Sequence, residues 1–223
     1  MNPDSWLVIP LYNEGSVIAD VINSARKTFC KIVCVDDGSS DGSGKIATEA
    51  GAIVVTHPVN LGQGAALQTG ISYALGDPAA QYFVTFDADG QHRPEDAARM
   101  VQRLRDEPLD VVLGSRFLGT KVEAGALKRL VLKTAVLFER ATTRLKVTDT
   151  HNGLRALNRK AAETIHIHQN RMAHGSEFLQ EISRHRLAYA EEPVQIIYTE
   201  YSMAKGQSLW NSVNILSELF LDK

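Results

Sequence analysis

Along the first half of the chain, short apolar runs alternate with longer stretches in which apolar residues recur every three or four positions. Trp6–Ile9, closed by Pro10, then Ile32–Val35, Ala52–Thr56, Tyr82–Phe86 and Asp110–Leu113 are the runs, and each is the length of a strand. Residues 14–28 put Val17, Ile18, Val21, Ile22 and Ala25 on one face, which predicts a helix. Further helices are expected up to about Ala50, over Ala65–Leu75, and from Pro94 to Arg105, with the proline at the first helical position. Strands this apolar have both faces covered. Four βα repeats therefore predict a Rossmann-like, mostly parallel sheet flanked by helices. In such sheets ligands gather outside the carboxyl ends of the strands. The segments PLYNE, DDGSSDG, DADGQ and GSRF all follow strand ends, so they are expected at one edge.

The second half is less regular. Residues 126–145 interleave Leu127, Leu130, Val131, Val136, Leu137 and Phe138 with Lys128, Arg129, Lys133, Arg140 and Arg144, which reads as an amphipathic helix. HNGLRALNRKA reads as a short strand turning into a helix, MAHGSEFLQEISRHR as a helix and PVQIIYTEY as a strand. The loop AKGQS precedes a last amphipathic helix, SLWNSVNILSELFL. No Pro/Gly-rich linker interrupts the chain, so residues 1–223 are read as one domain.

Composition refines this picture. The 223 residues carry a net charge of −2, against a general nucleic-acid binder. Residues 121–160, however, hold ten Lys/Arg and three Asp/Glu. A basic segment in a mildly acidic protein fits a phosphate, a membrane surface or simply a solvated helix face. Cys30 and Cys34 lie on one strand, roughly 13 Å apart, too far for a disulfide, and are expected as two buried thiols of a cytoplasmic protein. The start of the chain does not read as a signal peptide, and no run of apolar residues is long enough to span a membrane.

The chemistry concentrates after the fourth strand. Asp87 and Asp89, at i and i+2, point their carboxylates to one side, where they repel each other. A divalent cation, Mg²⁺ or Mn²⁺, resolves that repulsion through oxygen ligands, and Gln91 offers a third oxygen. Two solvated turn acids would look the same in isolation. Asp36 and Asp37 offer acceptors to a base or ribose, and Tyr12 offers a ring on which a base can pack.

Taken in order, IPLYNE, VDDGSSDGS, NLGQGAALQTGISYA, FDADGQHRPED and GSRF strongly resemble the family 2 glycosyltransferases of the GT-A fold, in particular the dolichyl- and polyprenyl-phosphate sugar synthases. The resemblance covers nearly all of residues 6–210. It implies a nucleotide-sugar donor (UDP-, GDP- or dTDP-linked) held in residues 1–120, and an acceptor half in residues 121–223. It places Pro10, Tyr12, Glu14, Asp36 and Asp37 around the nucleoside, and Asp87, Asp89 and Gln91 at the metal and diphosphate. Inversion at the anomeric carbon is implied with it. Gln63 stands where relatives often carry Lys.

The acceptor divides the expectation. A lipid phosphate is already ionised near neutral pH and needs cations rather than a base. Arg116, Arg155 and Lys205 are the candidates. A glycan hydroxyl would need a base, for which Glu177 is the candidate, with His174 on the same helix face. The amphipathic helices fit peripheral membrane contact, a membrane-spanning partner, or packing within a homo-oligomer. A nucleotidyltransferase would carry a Gly-rich basic loop in place of PLYNEG, and a non-catalytic sensor would not need the full acidic and basic set.

Overall fold

The structure is a computed structural model, and it describes residues 2–118, 143, 145–150, 152–171 and 173–197. The helix expected over 126–145, the last helix and the loop holding Lys205 lie essentially outside those residues.

The chain runs β1 (Asn2–Leu11), α1 (Ile18–Ala25), β2 (Phe29–Asp36), α2 (Ser43–Glu49), β3 (Ile53–Thr56), α3 (Gln63–Leu75), β4 (Tyr82–Thr85), α4 (Pro94–Asp106), β5 (Val111–Ser115), β6 (Arg155–Asn158), α5 (Arg159–Thr164), α6 (His174–Arg184) and β7 (Tyr189–Pro193). One seven-stranded sheet has the order β3-β2-β1-β4-β6-β5-β7. The pairs β1–β2, β1–β4, β2–β3 and β5–β7 are parallel, whereas β6 runs antiparallel between β4 and β5. The expected mostly parallel sheet is thus present with one reversed strand inserted.

Two apolar layers cover the sheet. On one face Leu7, Ile9, Val84 and Val112 pack against Ile18 and Ile22 of α1, Ala47 of α2 and Met100 and Val101 of α4. On the other, Val8, Val33, Phe83 and Leu157 pack against Leu67 and Ile71 of α3, Ala161 of α5 and Phe178 and Ile182 of α6. The alternation Leu7/Val8/Ile9 feeds the two layers in turn, as a two-faced strand requires.

Several boundaries differ from expectation for local reasons. β1 continues through Pro10, because β4 pairs with β1 only as far as Val8 and the missing N–H interrupts no ladder there. The helix expected over 14–28 is confined to Ile18–Ala25, with turns on either side. The last described strand ends at Pro193, so Val194–Ile197 does not continue it. Cys34 is buried, its thiol pushed up to about 12 chiefly by burial and then by the Asp36 charge, but Cys30 is exposed near the start of β2. The expectation of two buried thiols is corrected accordingly.

Candidate active site

The order of the sheet creates the site. From β1 the chain first builds β2 and β3 to one side, then returns to place β4 on the other. The crevice at that reversal lies beyond Leu11 and Thr85, where the segments 12–14 and 87–91 leave the sheet. Because β6 is antiparallel, its first residue, Arg155, also arrives at this edge, in register with Thr85 and Leu113.

The β1 and β2 loops hold each other. The Ser40 N–H donates to Asn13 Oδ1 at 2.9 Å, the Asn13 N–H to Ser39 Oγ at 3.0 Å and the Glu14 N–H to Ser43 Oγ at 2.9 Å. Asn13 has a left-handed φ of 53°, a conformation that asparagine tolerates. Tyr12 is 47% exposed beside it, available to a flat ligand. Asp36 accepts the Ser39 N–H at 2.9 Å. Asp37 is more committed than its expected nucleoside role suggests. It accepts the Leu61 and Gly62 N–H groups at 2.9 and 2.7 Å and pairs with His57 Nδ1 at 2.7 Å. A carboxylate offers about four acceptor positions, so roughly one remains for a base N–H.

Asp87 and Asp89 differ sharply. Asp87 Oδ1 accepts from Gln63 Nε2 at 3.2 Å and Oδ2 from His92 Nε2 at 2.8 Å. Burial opposes its ionisation, but the His92 hydrogen bond and the charges of His92, Arg155 and His174 outweigh it and hold its carboxyl below the usual range. Gly153 lies directly against it: a Cβ there would sit 2.3 Å from Oδ2. Asp89 has one oxygen on the Gln91 N–H at 3.0 Å, and Oδ2 has no partner among the described residues. Burial, and then the Asp87 charge, raise its pKa. Among the described residues no three His, Cys, Asp or Glu side chains form a complete cage for a metal ion. Two crowded carboxylates, one with an unengaged oxygen, fit a hard cation that takes its remaining ligands from a diphosphate and water.

Arg116 forms a fork with buried Asp149, Nε to Oδ2 and Nη2 to Oδ1, both at 2.7 Å. Its side chain stays 30% exposed, so the clamped guanidinium reaches the crevice rather than the core. Arg155 is not a surface cation: it is 4% exposed, its guanidinium 4.5 Å over the Phe178 ring. Burial lowers its pKa to about 10 against the opposing effect of Asp87 and Asp149, so it stays charged at neutral pH. Glu177 also departs from expectation. Its carboxylate accepts the backbone N–H groups of His168 (2.9 Å) and Gln169 (2.7 Å) and touches His168 Nδ1 at 3.2 Å, which ties the 168–169 loop to the first turn of α6. Sequence reasoning missed Asp149, His92 and Gly153. The motif match that marked Arg116 held no signal for its counter-ion 33 residues later.

A sheet switch point with an acid pair, an aromatic flank and two arginines, one of them buried, defines a nucleotide-sugar-type α/β site, and the glycosyltransferase A fold is the architecture that carries it. The chain belongs to glycosyltransferase family 2: the family model "Glycosyl transferase family 2" matches residues 6–165. It is 33% identical to a UDP-N-acetylglucosamine–dolichyl-phosphate N-acetylglucosaminyltransferase of Methanococcus voltae, over 98% of this chain and 95% of that one. It is 32% identical to a polyprenol monophosphomannose synthase of Mycolicibacterium smegmatis, over 71% of this chain and 63% of that one. Glucosyl-3-phosphoglycerate synthase from Mycobacterium tuberculosis, solved with Mn²⁺, UDP and phosphoglyceric acid, shares the fold with a TM-score of 0.72 at 18% identity, covering 97% of this chain and 77% of that one. The protein is a glycosyltransferase, similar to enzymes that load sugars onto polyprenyl phosphates.

Proposed function

We propose that this glycosyltransferase moves a sugar from a nucleoside-diphosphate donor to a polyprenyl-phosphate acceptor, with inversion at the anomeric carbon. The carrying observation is Asp89, whose Oδ2 has no partner among the described residues, beside a second carboxylate held by Gln63 and His92 at the switch point. Tyr12 and Pro10 would flank the base, with Glu14, Asp36 and the remaining acceptor position of Asp37 toward the nucleoside. Asp87, Asp89 and Gln91 would hold Mg²⁺ or Mn²⁺. When bound, such an ion offsets the negative charge that builds on the leaving diphosphate.

Inversion follows from attack on the face of the sugar opposite the leaving group. A phosphate oxygen is already an anion at neutral pH, so the attack needs no proton removed. That agrees with Glu177, whose oxygens are occupied by backbone N–H groups and a histidine. Arg116, clamped in orientation by Asp149, would draw the acceptor phosphate, and Lys205 is assigned to the same task. Relatives named for dolichyl phosphate and polyprenol support a lipid acceptor, which would bring the protein to a membrane surface. No helix among the described residues is long and apolar enough to cross one.

The test is a transfer assay with Mn²⁺, a panel of UDP-, GDP- and dTDP-sugars and a short polyprenyl phosphate, read by mass spectrometry. One glycosylated lipid phosphate is the expected product. Donor turnover only onto glycan hydroxyls would overturn the acceptor assignment.

A further inference from the structure

Arg155 is a buried charge at the crevice. It is 4% exposed, yet its guanidinium makes no hydrogen bond and no ion pair to any of them. Its contacts are the Phe178 ring below it and the start of α6: a Cβ on Gly175 would lie 3.6 Å from Arg155 Nη2. A guanidinium whose N–H donors meet no protein acceptor can receive an anion, and hydrogen bonds between two charged groups are the strong ones. The two nearby carboxylates offset its charge from a distance but accept none of its N–H groups. Asp87 is held by Gln63 and His92, and Asp149 by the fork of Arg116.

The second feature is the helix end itself. α6 spans eleven residues and has no side-chain cap, and the Gly175 N–H, in its first turn, takes no partner among the described residues. Amides in that position carry the positive end of the helix and favour an anion. The missing side chain at Gly175 leaves space beside Nη2. Burial, and then the Arg155 charge, lower the pKa of neighbouring His174.

We propose that Arg155 and the N-terminus of α6 form a built seat for a phosphate monoester, with Gly175 as the residue whose missing side chain keeps the seat open. Resting on the glycosyltransferase reading above, this seat takes the phosphate of the acceptor, on the same side of the crevice as Arg116. Arg116 draws the phosphate from the more exposed side, and Arg155 grips it from beneath through charge-assisted hydrogen bonds. The same chemistry would serve a lipid headgroup or the phosphate of a small soluble acceptor.

The experiment uses the full chain and two variants, Arg155→Lys and Gly175→Ala. The alanine methyl meets Nη2 at 3.6 Å and Thr150 O at 3.9 Å, ordinary contacts, so the fold tolerates it while the seat fills. A short polyprenyl monophosphate in micelles and 3-phosphoglycerate are titrated by calorimetry, with UDP plus Mn²⁺ as a separate titration and thermal melting alongside. Wild-type protein is expected to bind one of the two phosphates. Binding of the polyprenyl phosphate assigns the seat to a lipid, and binding of the glycerate phosphate to a soluble acceptor. Arg155→Lys should weaken that binding at least about ten-fold, as loss of a charged bidentate contact does. Gly175→Ala should weaken it several-fold at an equal or higher melting temperature. UDP affinity should be retained in Gly175→Ala. Phosphate binding unchanged in both variants, no wild-type binding of either phosphate, or a loss confined to UDP would overturn the seat. Failure of UDP to bind wild-type protein would instead count against the donor reading, which separates the two.

Discussion

Asp87 and Asp89 are separated by one alanine but have opposite titration behaviour, and the difference assigns their tasks. Asp87 is compensated by the protein itself, through His92, Gln63 and the nearby arginine, whereas Asp89 bears the uncompensated charge. Its pKa is raised in the fold, so above that pKa the ionised carboxylate costs stability, and the cost disappears as pH falls through it. Asp89→Asn should therefore raise the melting temperature of the metal-free protein at neutral pH and lower transfer by about 10²-fold or more. A variant with wild-type turnover would remove Asp89 from the site. Glu177→Gln has the reverse signature. The amide keeps one acceptor for two backbone donors, so about 1–2 kcal/mol of stability should be lost. Transfer at low temperature should change less than about three-fold. A large fall in kcat with unchanged stability would restore Glu177 as a base.

At the scale of elements, the reversed strand β6 matters most. A parallel strand would deliver its last residue to the active edge, whereas an antiparallel one delivers its first. That brings Gly153 and Arg155 to the crevice from a segment that sequence alone would assign to the second half. Gly153 is there because nothing larger fits: a Cβ would be 2.3 and 2.7 Å from the two Asp87 oxygens. Gly153→Ala should push Asp87 off its Gln63 and His92 donors, destabilising by about 1–3 kcal/mol. UDP–Mn²⁺ affinity should fall with it, measured by calorimetry on protein that still melts cooperatively. Unaltered affinity would mean that Asp87 can move without consequence.

For the molecule as a whole, the far edge of the sheet is held by one carboxylate. Asp110 accepts from Asn158 Nδ2 and Lys160 Nζ, both at 3.1 Å, and from the Ala188 N–H at 2.9 Å, which joins β5, β6 and the entry to β7. Burial opposes its ionisation, but these donors and the Lys160 charge prevail, and its pKa is lowered. Such a group contributes stability above the unfolded carboxylate pKa, about 3.9, and loses it as pH falls through the folded value. Asp110→Asn should be less stable than wild type at pH 7, and the gap should close below about pH 4. A gap independent of pH, in urea melts across that range, would assign the effect to geometry rather than charge.

The hydrophobic alternation by itself determined that β1, β2, β3 and β4 alternate with helices, because a strand covered on both faces and a helix covered on one leave different periods in the chain. It also determined that the acid pair, Tyr12, Asp36 and Asp37 share one edge, since parallel strands all end on the same side. The match of motifs named the family. What the sequence left open was decided by contacts between distant segments. Asp37 is largely spent on the 57–62 loop and Glu177 on the 168–169 loop. Arg116 is clamped by Asp149, and Arg155 is buried beneath the crevice rather than exposed at its rim. A side chain's chemistry is written in its identity, but whether its lone pairs and N–H groups remain available depends on which backbone the fold brings within 3 Å. Only the tertiary structure sets that distance.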